Sequence, residues 1–220
     1  GLAVGVHTTQ FEIRKPGIDL YEPVLRITAE EIRRTATERP FIKIAGVVGP
    51  TAQATREAEL ARQYGYNLGL LSMGGLKAYS EQQLIEHTRA VASIIPVFGF
   101  YLQPAVGGRL LSYRFWREFA DIPNVWAVKI APFNRYQTLD VVRAVLESGR
   151  DDIALYTGND DNIVADLVTP YPAVVGGERR VRGMDGGLLG QWAVWTHKAA
   201  DLLRRSRAAR AGGMVEAELL

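Results

Sequence analysis

The chain has no cysteine, which excludes disulfides, thiolate nucleophiles and cysteine metal clusters. No stretch approaches the roughly 18 apolar residues of a membrane span, and no secretory signal is visible, so the chain reads as cytoplasmic with no membrane partner. It has no charge of one dominant sign either: the net charge is +2, which gives no reason to expect nucleic acid as a partner. The basic run Arg204-Arg205-Ser206-Arg207 with Arg210 reads as a solvated helix end. An initiator methionine is also lacking. Gly1 stands inside an apolar, strand-like run, and the expectation is a chain truncated at the amino terminus and open to truncation at the carboxyl terminus.

What is present is ordinary for one globular domain spanning 1–220: 220 residues, 47% hydrophobic and 23% charged. Short apolar runs alternate with helical patterns, the signature of βα units and a parallel sheet. Strands are expected over 2–6, 41–48, 68–72, 96–101, 124–129, 153–157 and 187–191. Helices are expected over 23–38, 51–64, 80–94, 113–120, 136–148 and 192–207, with a shorter one ending near 169. Ser80-Glu81-Gln82-Gln83 has the capping-box pattern, and Thr51 is placed to cap the helix that follows Pro50. Residues 170–186, rich in glycine and proline, read as an irregular excursion. No linker divides the chain, and the period of about 30 residues exists as architecture without sequence repetition.

Seven such units approach a (β/α)₈ TIM barrel, expected here without its first strand and its carboxyl-terminal helices. The competing arrangement is an open doubly wound sheet. No Gly-rich phosphate-binding turn follows the first strand, and polar groups recur at strand ends all along the chain, both of which favour the barrel.

Those strand ends carry Thr8 and Thr9, Ser72, Tyr101, Lys129 and the stretch Thr157 to Asp160, which a barrel gathers at one mouth. Lys129 closes the apolar run Val125-Trp126-Ala127-Val128 before Pro132. A buried amine must be paired, or else neutral and reactive toward a carbonyl. By itself such a lysine reads more often as a snorkelling or salt-bridged residue. Tyr101 lies 28 residues earlier at the end of the preceding strand, and is by itself readable as a core aromatic. Gly158 would let backbone approach a substrate closely. His7 reads as structural, Asp160, Asp161 and Asp166 as caps or solvated residues in place of a metal site, and Trp192 and Trp195 as core or subunit interface. Gly107-Gly108-Arg109 is open between an anion grip and a surface turn.

These motifs make the chain similar to the dihydrodipicolinate synthase/N-acetylneuraminate lyase family of class I aldolases, along essentially its whole length. Tyr101-Leu102-Gln103-Pro104 matches the family's Tyr-x-x-Pro, and Val128-Lys129 matches its Schiff-base segment at the family's spacing from the tyrosine. His7-Thr8-Thr9-Gln10-Phe11 matches Gly-Thr-Thr-Gly-Glu in part, and Thr157-Gly158-Asn159-Asp160 is similar to Ser-Gly-Asp-Asp. The resemblance implies a lyase acting on a 2-keto acid, pyruvate or a sugar-derived one, with an aldehyde as second reactant, no cofactor and no metal, in a homodimer or homotetramer. It implies Lys129 as nucleophile, Tyr101 as proton carrier, Thr8 and Thr9 as the carboxylate grip, and Gly158 with Asn159 as the far wall.

Two departures accompany the match. Met73-Gly74-Gly75-Leu76 stands where family synthases carry a second tyrosine, and Val106 where they carry a carboxylate-binding arginine, Arg109 following three residues later. The partner half of the site is thus expected to differ from that of a dihydrodipicolinate synthase. Two other readings stand beside the lyase: a non-catalytic keto-acid-binding protein on the same scaffold, and a barrel isomerase or metal-dependent aldolase in which Lys129 is only an electrostatic clamp.

Overall fold

The structure is a computed structural model; it describes residues 1–6, 11–35, 38–212, 214–215 and 219. Seven parallel strands form one sheet in the order β1 (Leu2–Val4), β2 (Lys43–Val47), β3 (Leu68–Ser72), β4 (Val97–Leu102), β5 (Val125–Ala131), β6 (Ala154–Thr157) and β9 (Gly186–Gly187). The first six run in chain order, each joined to the next by a helix: α1 (Tyr21–Thr35), α2 (Thr51–Gln63), α3 (Glu81–Ala92), α4 (Tyr113–Ala120) and α5 (Arg135–Ser148). This is the βα succession of a TIM barrel, seven strands of it among the described residues. α6 (Ile163–Val168) and α7 (Thr196–Gly212) complete the helical layer.

Alternation along the strands sorts side chains into two cores. The inner face is lined by Ile44, Leu68, Leu70, Phe98, Phe100, Leu102, Ala127 and Ala131. The opposite face carries Val47, Leu71, Tyr101, Val128, Ile130 and Leu155 against the apolar stripes of the helices, including Leu84, Phe115, Trp116, Val141 and Val145. α3 begins at the predicted capping box, with Ser80 and Gln83 exchanging side-chain and backbone bonds. At α2 the cap position belongs to Pro50, and the Thr51 hydroxyl instead meets His87 Nδ1 at 3.0 Å.

The carboxyl-terminal region differs from the sequence expectation: the strand expected over 187–191 is only Gly186–Gly187, and the last helix is Thr196–Gly212 in place of 192–207. Residues 171–182 are a regular antiparallel hairpin, β7 (Tyr171–Val175) with β8 (Glu178–Arg182), because Gly176 and Gly177 both take positive φ and close a tight two-residue turn. The basic end of α7 is anchored, not merely solvated: Arg207 and Arg210 donate to the Asp185 and Met184 carbonyls, and Ser206 is fully buried. Of the expected pair, Trp192 packs on the core while Trp195 is exposed.

An ion pair fastens the chain that follows β1. Arg14 Nε meets Glu57 Oε1 at 2.7 Å, and the same guanidinium donates to the Gly5 and Gly46 carbonyls and lies over the Tyr21 ring. Glu57 also accepts from the Val48 amide and Gln53. Both partners are nearly buried, so removing one would strand the other's charge.

His87, 1% exposed between α2 and α3, has its pKa lowered from 6.5 to about 4 by burial. The unfolded chain therefore binds a proton that the folded chain refuses between those values. Stability contributed by neutral His87 is complete above pH 6.5 and is lost as the pH falls toward 4. Urea melts at pH 6.5 and pH 4.0 should show a loss at the lower pH, of which roughly 3 kcal/mol disappears in His87→Gln. An identical acid loss in the variant would remove His87 as the cause.

Candidate functional site

Lys129 sits third from the end of β5, which runs two residues past its expected end. Val125 belongs to the helix-side core, so simple alternation would send 127, 129 and 131 to that side as well. The pairing register shifts between Val97 and Phe98: Val97 pairs with Val125, but Phe98 pairs with Ala127. Trp126 is the extra residue of this bulge and is half exposed. The bulge switches the parity of the strand, turning Ala127 and Ala131 inward and leaving Val128 and Ile130 against the helices. Lys129 turns inward with them, paired with Phe100 on β4 and Tyr156 on β6.

The amine lies 4.4 Å from the centre of the Phe100 ring. Its stem fills the space beside Gly158, where a Cβ would come within 2.6 Å of Lys129 Cε and 2.9 Å of the Ala131 Cβ. No carboxylate forms a salt bridge with Lys129 among the described residues. Burial lowers its pKa from 10.5 to about 8, with the Asp160 carboxylate pulling weakly the other way. At pH 7 that shift leaves about a tenth of the amine neutral, some 300 times the fraction of an unshifted lysine.

The other sequence candidates are placed differently. Tyr101, one residue past Phe100, faces the helices: its ring packs on Trp116 at 5.1 Å and is 1% exposed. Its hydroxyl contacts the Leu111 carbonyl at 3.4 Å and the Leu111 amide at 3.3 Å, both long for hydrogen bonds, and burial raises its pKa. The structure therefore does not bring the phenol to Lys129. Gly158 does permit a close approach, but what approaches is the lysine's own stem. Asn159 is 3% exposed and its amide is used internally, so its side chain does not line the inner wall. Thr8 and Thr9, with His7, lie outside the described residues. Arg109 is anchored through Nη1, which donates to the Leu76 and Tyr79 carbonyls.

Sequence reasoning missed the group that surrounds Asn159. Asp166, read as a cap or solvated residue, is fully buried on α6. Its carboxylate accepts from Arg135 Nη1 (2.6 Å), Tyr171 (2.9 Å), Thr157 Oγ1 (2.6 Å) and Asn159 Nδ2 (2.9 Å). One signal was available: Asp166 interrupts the apolar stretch Ile163-Val164-Ala165 and Leu167-Val168, where a carboxylate must find partners. Among the described residues, no cluster of three or more His, Cys, Asp or Glu is arranged to hold a metal ion.

Gly158→Ala should be costly at this place. The new methyl must displace the Lys129 stem and press on Ala131, a typical overpacking loss of about 1–3 kcal/mol. Urea unfolding measures it, and a variant as stable as the parent would show that the stem has room to spare.

No protein-family model matches the chain. It is 28% identical over 173 residues to a 4-hydroxy-tetrahydrodipicolinate synthase of Acaryochloris marina, covering 76% of this chain and 52% of that protein. A 4-hydroxy-tetrahydrodipicolinate synthase of Cyanothece sp. is 26% identical over 192 residues, covering 84% and 58%. The chain thus spans just over half the length of these curated relatives. Among solved structures, YagE, a prophage protein of the dihydrodipicolinic acid synthase family from E. coli K12 in complex with pyruvate, superposes with a TM-score of 0.76. It is 17% identical, and the match covers 97% of this chain and 65% of that one. A dihydrodipicolinate synthase from Thermotoga maritima gives a TM-score of 0.74 at 19% identity, covering 96% and 65%. These structural likenesses establish the barrel fold, and in sequence the chain is similar to 4-hydroxy-tetrahydrodipicolinate synthases.

Proposed function

We propose that this protein is a lyase or aldolase that acts on a 2-keto acid through an imine on Lys129. One observation carries the reading: an inward-facing, largely desolvated amine with no salt-bridge partner among the described residues and a pKa near 8. That is the state in which a lysine is a nucleophile and not merely a counter-charge. The similarity to 4-hydroxy-tetrahydrodipicolinate synthases and a pyruvate-bound structural neighbour support the same substrate class.

In the proposed reaction the neutral amine adds to the C2 carbonyl and water leaves, forming an iminium. The iminium accepts the C3–C4 bonding pair as the C4 hydroxyl gives up its proton, which releases an aldehyde and leaves an enamine. Protonation at C3 and hydrolysis return the lysine and a shortened keto acid; dehydration would use the same electron sink. Thr8 and Thr9 are proposed to hold the carboxylate. Tyr101 is proposed to carry protons, which requires its ring to turn away from Trp116 and its hydroxyl to leave the long Leu111 contacts. Arg109 is committed to two carbonyls and Val106 is apolar, so the partner half has no evident carboxylate grip in this part of the site. We therefore place the reaction outside dihydrodipicolinate synthesis.

Borohydride reduction in the presence of pyruvate, and then of a panel of sugar-derived keto acids, should add the mass of one reduced adduct to the Lys129 peptide and to no other. Undiminished trapping in Lys129→Ala would sink the assignment. The trapping rate should rise with pH and level off above about 8, where the amine is already neutral. A rate still climbing toward pH 10 would mean an ordinary solvated lysine.

Tyr101→Phe keeps the ring on Trp116 and removes only the two long contacts, so the variant should fold and still form the imine. Single-turnover cleavage or dehydration should fall by about 10²–10⁴-fold, the usual worth of general acid–base help. Unchanged turnover would leave Tyr101 as a packing residue. Binding without turnover in parent and variant alike would favour the non-catalytic keto-acid-binding reading.

A further inference from the structure

The Asp166 network reaches the exit of the Lys129 strand, β5, and that of its neighbour β6. Asn159 Oδ1 accepts from the Phe133 amide at 2.9 Å, and Phe133 holds a positive φ of 54°, a conformation a phenylalanine does not keep without support. Asn159 Nδ2 donates to Thr138 Oγ1 in the first turn of α5 and to Asp166 on α6. Thr157, the last residue of β6, gives its hydroxyl to Asp166 and accepts from the Asn159 amide. The segment leaving β5 and the segment leaving β6 are therefore tied to one buried carboxylate, which Arg135 neutralises.

Gly158 lies between the two tied residues Thr157 and Asn159. Its backbone is the wall against which the Lys129 stem runs, and its amide donates to the Ile130 carbonyl at 2.8 Å. Nothing in the network touches the amine, but everything in it fixes how closely this wall stands.

Resting on the reading of Lys129 as the nucleophile, we propose that Asp166 and Asn159 are positioning residues for it, holding the β5 and β6 exits closed around its stem. The network keeps water from the stem and keeps the amine over Phe100. Loosening it should let the wall retreat, admit water and return the amine toward ordinary lysine behaviour.

The test titrates Lys129 itself, without any keto acid, so that it stands or falls separately from the imine. Trace labelling with acetic anhydride across a pH series, read by mass spectrometry of the Lys129 peptide, gives the midpoint at which the amine becomes reactive. In Asp166→Asn and in Asn159→Ala the midpoint should move upward by about one pH unit or more relative to the parent, toward the unperturbed value of about 10.4. Val91→Ala, which trims a fully buried core side chain of α3, lowers stability without touching the network and should leave the midpoint in place. Should the charge-neutral variant fail to fold, Thr157→Val, which removes the donor to Asp166 and the acceptor of the Asn159 amide at nearly constant volume, carries the same decision. Folded network variants with the parent's midpoint, or a Val91→Ala shift as large as theirs, would overturn the proposal. Absence of imine trapping in the parent would instead overturn the catalytic reading and leave this titration intact.

Discussion

The site depends on one backbone irregularity, the bulge at Trp126. Side chains on a strand alternate strictly, so a residue's face is fixed by parity from any neighbour of known face. Val125 packs toward the helices; without the extra residue, Lys129 would do the same and would sit among Trp116, Val141 and their neighbours. Pairing Phe98 with Ala127 resets the count and puts the amine on the inner face above Phe100. The small residues Ala127 and Ala131 flank it on that face, and Gly158 stands beside its stem. The consequence is a partly buried lysine on the inner face, its stem packed beside Gly158, that is not sealed into the helix-side core.

Two ion pairs, one nearly buried and one with a buried carboxylate under a partly exposed arginine, occupy comparable positions at strand ends. Arg14 and Glu57 tie the chain after β1 to the end of β2, and Arg135 and Asp166 tie the exits of β5 and β6. Each is surrounded by hydrogen bonds to backbone or side chains that use the remaining lone pairs and protons, which is the condition under which a buried pair is tolerated. Both place charge where it holds loop ends, whereas the partly buried Lys129 has no carboxylate at salt-bridge distance among the described residues. The asymmetry separates structural charge from the proposed nucleophile.

The same rule of alternation explains why Tyr101 reads well in sequence and less simply in space. Its spacing from Lys129 fits one mouth, yet Phe100 is the residue level with the amine and Tyr101 is turned to α4. The partner half of the site shows a similar gap between residue type and use. Arg109 looked available as a cation, whereas its guanidinium closes the turn at Leu76 and Tyr79.

Much of the architecture was legible from the chain alone. Short continuous apolar runs separated by helical stripes point to parallel βα units, the Ser80–Gln83 box determines where α3 starts, and the Tyr101-to-Lys129 motif pair carries the resemblance to the dihydrodipicolinate synthase family. These are local or short-range properties: propensity, capping and spacing. Which face Lys129 occupies, why Gly158 must lack a side chain and where the carboxylate of Asp166 finds its partners were decided only in three dimensions. A bulge is invisible in a continuous apolar run, because Val125, Trp126, Ala127 and Val128 satisfy either parity. A buried network assembled from β6, α5, α6 and β7 depends on contacts between residues up to 36 positions apart, and no local pattern encodes those.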